Sequence, residues 1–153
     1  RERISVTGFT DIQRAAMFYV LVKTGFGASL RTFGCNKKRL NTDNFADIEA
    51  RLDGVGIENK DFEDLIKVYD REKALFYCDP PYHKTERHYT VKFTEDDHER
   101  LCRVLHQIKG RFVLSYNDDK YVRDLYKDYN IQAVTRNNSL SSGDFKEVII
   151  TNF

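Results

Sequence analysis

The chain of 153 residues carries 25 Lys and Arg against 24 Asp and Glu, with 41% hydrophobic residues, a balance that describes an ordinary globular domain with a real core and no need of disulfides or a structural metal. No apolar run approaches the roughly 20 residues of a membrane span, and Arg1-Glu2-Arg3-Ile4-Ser5 has no leader-like apolar stretch, so a membrane or secreted protein is not expected and a cytoplasmic one is. Cys35, Cys78 and Cys102 form an odd set without Cys-x-x-Cys spacing, which suits reduced thiols rather than a disulfide framework.

Asp11 is placed to cap a first helix over residues 11–24, whose Ala15, Met17, Phe18, Leu21 and Val22 predict a buried stripe ending near Gly25 and Gly27. Residues 1–40 hold 8 basic and 2 acidic side chains, net +6, which leaves net −5 for the rest of the chain. Arg31 with Lys37-Lys38-Arg39 therefore reads either as a patch facing an anionic partner, a nucleic-acid backbone being the natural one, or as a solvated loop. A second helical pattern runs from Asn41 to Leu52, followed by a turn at Asp53-Gly54 and a short apolar run, Val55-Gly56-Ile57, that predicts a buried strand. Asp61 to Tyr69 predicts a third helix with Phe62, Leu65, Ile66 and Tyr69 on one face.

From residue 74 the pattern becomes strand, helix, strand, helix, strand, strand. Ala74 to Cys78 predicts a buried strand, Thr94 with Asp97 opens a helix through Leu101, Leu105 and Ile108 that Gly110 ends, and Arg111 to Ser115 is the next strand. Asp118 or Asp119 starts another helix through Val122, Leu125 and Tyr126; Ile131 to Thr135 and Glu147 to Thr151 are the last strands. That order predicts an α/β domain with a parallel sheet and one closing antiparallel strand.

Asp79-Pro80-Pro81-Tyr82 departs from a generic pattern. Two prolines directly after a strand cannot continue a sheet and fix a rigid turn, which projects Asp79 at the carboxyl end of a parallel strand, where open α/β sheets bind ligands. An Asp-Pro turn with a capping or solvent role is the plainer alternative.

The chain resembles the Dam-type, or D12-class, DNA adenine-N6 methyltransferases. The likeness runs through Ala15-Ala16-Met17-Phe18-Tyr19, Arg31, Ile57-Glu58-Asn59-Lys60-Asp61-Phe62 and Leu75-Phe76-Tyr77-Cys78-Asp79-Pro80-Pro81-Tyr82. It continues through Tyr89, Phe93, Ser115-Tyr116-Asn117-Asp118 and Glu147-Val148-Ile149-Ile150-Thr151. The resemblance implies a Rossmann-like fold, S-adenosylmethionine as methyl donor, double-stranded DNA as substrate, and Asp79, Pro80, Pro81 and Tyr82 as the catalytic motif. It also sets Asp61-Phe62, with Asp79, against the cofactor; a simple helix N-cap is the rival reading of Asp61. The chemistry suits the motif: an adenine N6 amine is a poor nucleophile, and a carboxylate and a prolyl carbonyl that each accept one N–H direct its lone pair toward a methyl donor. Tyr82 offers a flat face for a base extruded from the duplex.

The family's Phe-x-Gly-x-Gly cofactor loop has no counterpart: Gly25-Phe26-Gly27 follows a helix, and Gly54-Val55-Gly56 precedes the predicted strand. The chain is therefore expected to be the C-terminal part of a longer enzyme, with residues 1–54 a helical, basic segment of the target-recognition region and residues 55–153 the catalytic part. An incomplete sheet would leave an open edge through which the chain could pair with itself. The segment from Tyr82 to Tyr89 interleaves aromatic and basic groups, and Lys84, Arg87, His88 and Tyr89 are DNA-contact candidates or plain loop residues. Arg136 and Asn137 are further candidates in the loop before the last strand. His98, Cys102 and His106 span about 12 Å on one helix, too far for one ion, so no metal site is expected; a packed Cys and two surface His are. Acceptors other than adenine (cytosine N4, protein glutamine) and a non-catalytic DNA-binding or dimerising remnant remain open.

Overall fold

The computed structural model describes residues 8–25, 44–85, 92–137 and 144–153. The chain divides into two compact units, Arg1–Ile57 and Glu58–Phe153. In the first, α1 (Asp11–Thr24) opens on a capping box: the Thr10 hydroxyl accepts from the Gln13 N–H at 3.3 Å, and the Gln13 carboxamide oxygen accepts from the Thr10 N–H at 2.9 Å. The cap is thus Thr10, because Thr-x-x-Gln satisfies two orphan donors where Asp11 alone satisfies one. Gly25 closes the helix, its N–H donating to the Leu21 carbonyl. The expected buried stripe is not buried: no residue of α1 is, and Phe18 remains 49% exposed. Helical periodicity shows that a face is apolar, not that another element covers it. Tyr19 meets Phe45 of α2 (Phe45–Leu52) edge to face, with ring centroids 5.2 Å apart.

Gly54 takes up φ +75° in the turn after α2, a conformation that favours glycine, and the Val55 N–H returns to the Leu52 carbonyl. The strand expected at 55–57 does not form. Val55 and Ile57 are exposed, and three residues interrupted by a glycine gain too little ladder and too little burial to hold an extended pairing.

The second unit is a mixed α/β layer. Its elements are α3 (Phe62–Tyr69), β1 (Leu75–Cys78), α4 (Glu95–Gln107), β2 (Arg111–Asn117), α5 (Lys120–Leu125), β3 (Asn130–Asn137) and β4 (Asp144–Thr151). The sheet order is β1-β2-β4-β3, with β1 and β2 parallel and β4 antiparallel to both neighbours. The antiparallel strand is expected from the sequence, but it lies inside the sheet rather than at its edge. Thr94 and Asp97 form the capping box of α4, and Asp119 caps α5.

Register places Phe76 beside Phe112, Cys78 beside Leu114, and Leu114 and Tyr116 opposite Ile150 and Val148, so these side chains share one face. Leu101, Val104 and Leu105 of α4, Ile66 of α3 and Val122 of α5 join them in a single core. The alternate residues of β1, Leu75 and Tyr77, are 63% and 69% exposed, so the strand is buried on one face only. An unbroken apolar run reads as a doubly covered strand; among the described residues β1 is an edge strand with one layer over it. His98 corrects another expectation: it is 1% exposed, and its Nδ1 lies 2.5 Å from the Tyr116 hydroxyl, whereas His106 is at the surface. A polar partner inside the core made burial of that imidazole tolerable.

Candidate active site

β1 ends at Cys78, and the chain then turns through Asp79, Pro80, Pro81 and Tyr82 at the carboxyl end of a parallel pair. The Cys78 thiol sits just inside, where burial pushes its pKa up to about 11 and keeps it protonated and unreactive at neutral pH. Asp79 is exposed, and Pro80 and Pro81 are half-buried. Asp79 lines a cleft of about 430 Å³ together with Phe62, Leu65, Pro80, Pro81 and Phe93, a largely apolar wall with one carboxylate at its rim.

Phe62 is held from behind. The Arg100 guanidinium lies 4.1 Å from its ring centroid, and Phe93 packs against it at 6.0 Å. Asp61 is not among the lining residues. Its carboxylate caps α3 by accepting the Glu63 N–H at 2.9 Å and receives a two-pronged contact from Arg100 at 2.8 and 3.0 Å. Arg100 also reaches Asp97 and Glu63. The Arg100 hydrogen bond, followed by the helix N–H, holds the Asp61 carboxyl below the usual range despite partial desolvation.

Tyr82 turns its hydroxyl away from solvent. It lies 2.7 Å from Ser115 Oγ and donates to Glu147 Oε1 at 3.2 Å, and burial, the larger effect, raises its pKa. Immediately after it the chain tightens: the Thr85 N–H and hydroxyl both donate to the Tyr82 carbonyl, and Lys84 adopts φ +65°. A lysine in the left-handed region is a strained position held by its surroundings. Those surroundings are specific. His83 is 5% exposed, stacks on Tyr121 at 4.4 Å, and has its Nδ1 3.1 Å from Asp119 Oδ1; Asn117 Nδ2 donates to the His83 carbonyl. Lys84 Nζ pairs with the other Asp119 oxygen at 3.2 Å. Asp119 would be raised by desolvation, yet the Tyr121 N–H, Lys84 and His83 bring it below its ordinary value.

The sequence candidates are thus distributed unevenly. Phe62, Asp79, Pro80 and Pro81 share the cleft, Tyr82 stands next to it in the chain, and Lys84 is engaged with Asp119. Arg136 and Asn137 end β3, in register with Phe145 and Asp144. Arg31, Lys37, Lys38, Arg39, Arg87, His88 and Tyr89 lie outside the described residues. Sequence reasoning missed Arg100, Asp119 and the buried Glu147 as supports of the site. The contacts of Arg100 with Asp61, Asp119 with Lys84 and Glu147 with Tyr82 each span 35 or more residues, beyond the reach of any local pattern. Among the described residues no cluster of His, Cys, Asp and Glu is arranged to hold a metal ion, and no helix is long and apolar enough to cross a membrane.

Asp79, Pro80, Pro81 and Tyr82 thus follow one another at the carboxyl end of a parallel strand, the first three of them on the wall of a largely apolar cleft. The chain matches the D12 class N6 adenine-specific DNA methyltransferase model over residues 11–140, and it belongs to that family. The family is one of DNA adenine methylation, which makes methyl transfer its activity and DNA its substrate.

Proposed function

We propose that this chain carries the base-capturing and cofactor-facing part of a site-specific DNA adenine-N6 methyltransferase. The convergence of Phe62, Asp79, Pro80 and Pro81 on one cleft carries this reading. The part of the cleft near the motif fits a flat heterocycle: a ring wall, proline faces and a rim carboxylate suit the adenosine end of S-adenosylmethionine. Phe62 would hold that end and Asp79 would stand at its edge, with Asp61 acting through the cap it gives α3. When bound, S-adenosylmethionine supplies an electrophilic methyl group.

The chain's own residues do the rest. The Asp79 carboxylate and the Pro80 carbonyl each accept one N–H of the target amine, which turns its lone pair out of conjugation with the ring. As N6 gains the methyl it sheds one proton, and the carboxylate already bonded to that N–H is positioned to receive it. Tyr82 stacks on the adenine once it has left the duplex, with Pro81 holding the turn rigid. Residues 1–54, whose first 40 carry net +6, belong to target recognition in this reading, with Arg31, Lys37, Lys38 and Arg39 on phosphates. Lys84, Arg87, His88, Tyr89, Arg136 and Asn137 approach the DNA near the motif.

The β1-β2-β4-β3 order with its internal antiparallel strand suits the closing part of a Rossmann-like sheet, whose remaining strands and glycine-rich loop would lie in a further part of the enzyme. The outer position of β1 in the sheet of the described residues, with Leu75 and Tyr77 exposed on its uncovered face, favours one second reading: a dimerising remnant that pairs through that edge without catalysis. A labelled-methyl assay on adenine-containing duplex, run with calorimetric titration of S-adenosylmethionine, separates the two. Methyl transfer to adenine that falls at least about 10²-fold in Asp79→Ala, with the fold retained, supports the enzyme. Near-normal transfer by that variant removes Asp79 from the chemistry, and absence of cofactor binding in the presence of a self-associated species supports the remnant.

A further inference from the structure

We propose that Ser115 and Glu147 are positioning residues that lock the ring of Tyr82 in place as the platform for the extruded base; this rests on the reading of Asp79 to Tyr82 given above. Two strands supply them. Ser115 lies opposite Ile149 and Glu147 opposite Asn117 in the β2–β4 ladder, on the face away from the main core. They are 5% and 6% exposed, and both reach the Tyr82 hydroxyl, at 2.7 Å and 3.2 Å. The carboxylate only accepts, so the Tyr82 O–H donates to Glu147 and the Ser115 hydroxyl donates in turn to the Tyr82 oxygen. The direction of each bond is thereby fixed.

A carboxylate at that depth is expensive, and packing alone would be met by an apolar side chain of similar size. It accepts from the Tyr82 hydroxyl, which an apolar side chain could not do. Tyr82 follows the two prolines at a strand end, so its backbone is restrained by the turn, and the contacts at its hydroxyl add a restraint on the far end of its side chain. A ring pinned at its hydroxyl presents one fixed plane, and a base that stacks on it meets no further ordering cost there. Tyr116 packs against the same ring, with centroids 6.1 Å apart. A stacking residue that was free to rotate would need neither Ser115 nor Glu147.

The test uses a single-stranded oligodeoxyadenosine carrying one 2-aminopurine, whose fluorescence reports unstacking from its neighbours and capture on the protein. Tyr82→Phe and Ser115→Ala, which keep the ring, are each expected to weaken capture roughly tenfold, and the double variant no more than either alone. Glu147→Gln, whose amide oxygen still accepts, is expected to recover most of the loss seen in Glu147→Leu. A merely structural role would lower the melting temperature and leave capture by the folded protein unchanged. Capture abolished in Tyr82→Ala but intact in Tyr82→Phe and Ser115→Ala overturns this proposal and leaves the motif reading standing. No capture by the wild-type chain, or capture indifferent to Tyr82→Ala, overturns the motif reading and this proposal with it. The anchor is also read without nucleic acid: with carbon-13-labelled tyrosine, the Tyr82 resonance is expected to shift in Ser115→Ala and Glu147→Leu, and an unmoved resonance overturns the anchor whatever the oligonucleotide does.

Discussion

Arg100 grips both carboxylate oxygens of Asp61, Nη1 to Oδ1 at 2.8 Å and Nη2 to Oδ2 at 3.0 Å, and so ties the second turn of α4 to the cap of α3. The same guanidinium backs Phe62 and reaches Asp97 and Glu63, which makes one planar group the joint between the two helices that frame the cleft.

Arg100→Ala is expected to destabilise the unit by about 1 kcal/mol, a modest figure because Asp61 is 43% exposed and solvent screens the pair. Arg100→Lys should recover only part of it, since a single ammonium cannot span three carboxylates. The pH dependence has a definite sign. Asp61 and Asp97 are held below their ordinary values, Asp61 first by Arg100 and Asp97 first by the Thr94 N–H. Their contribution is therefore present above the unfolded carboxylate pKa of about 4 and lost as pH falls toward the folded values. Urea denaturation across pH 3 to 7 should show a shallower acid slope in Arg100→Ala than in the wild type; equal slopes would mean that Arg100 does not hold Asp61 in solution.

A second expectation concerns the turn that feeds β2. A Cβ on Gly110 would lie 2.7 Å from the Ala74 carbonyl oxygen and 2.8 Å from that of Arg71, both backbone atoms with no room to give. The Asp70 carboxylate meanwhile accepts from the Lys109 and Gly110 N–H groups. Gly110→Ala should cost about 1–3 kcal/mol, read as a lowered denaturation midpoint at unchanged slope. A variant as stable as the wild type would show that the 70–74 segment moves freely away from β2.

Tyr126 should respond in the opposite direction. It is fully buried, and its hydroxyl has no hydrogen-bond partner among the described residues. An unmet buried hydroxyl carries its desolvation cost without return, so Tyr126→Phe is expected to be neutral or to stabilise by up to about 1 kcal/mol. A loss of more than that in thermal melts would reveal a partner for the hydroxyl.

These expectations draw on contacts of different legibility. Thr94 with Asp97, the Asp53-Gly54 turn and the Asp119 cap are signals confined to four residues or fewer, and the chain obeys them. The Asp-Pro-Pro-Tyr turn was legible for the same reason, since proline restricts its own φ and its predecessor wherever it occurs. Burial was harder to read. Leu75 and Tyr77 look like core residues in an apolar run, but their exposure depends on whether a second layer covers the sheet. His98 looked like a surface residue because nothing nearby announces the Tyr116 hydroxyl, 18 residues on. The joint between Asp61 and Arg100 spans 39 residues and follows from the crossing of α3 and α4, which no periodicity encodes.

The last prediction concerns the charge asymmetry. Residues 1–40 carry net +6 in a chain that is otherwise acidic, so duplex binding should be weak, independent of sequence in its electrostatic part, and sensitive to salt. Each phosphate neutralised by a cation releases counterions, and the slope of log affinity against log salt is about −0.9 per contact. If Arg31, Lys37 and Lys38 each meet a phosphate, reversing all three to Glu should flatten that slope by roughly 2–3 and lower affinity most at low salt. Thermal melts of the reversed and wild-type chains, run alongside, keep a loss of binding distinct from a loss of fold. Fluorescence anisotropy with a labelled duplex at several salt concentrations measures both quantities at once. An unchanged slope with unchanged affinity would assign the basic run to a solvated loop, whereas an unchanged slope with lower affinity would mean that the three residues act on the duplex at a distance rather than by contact.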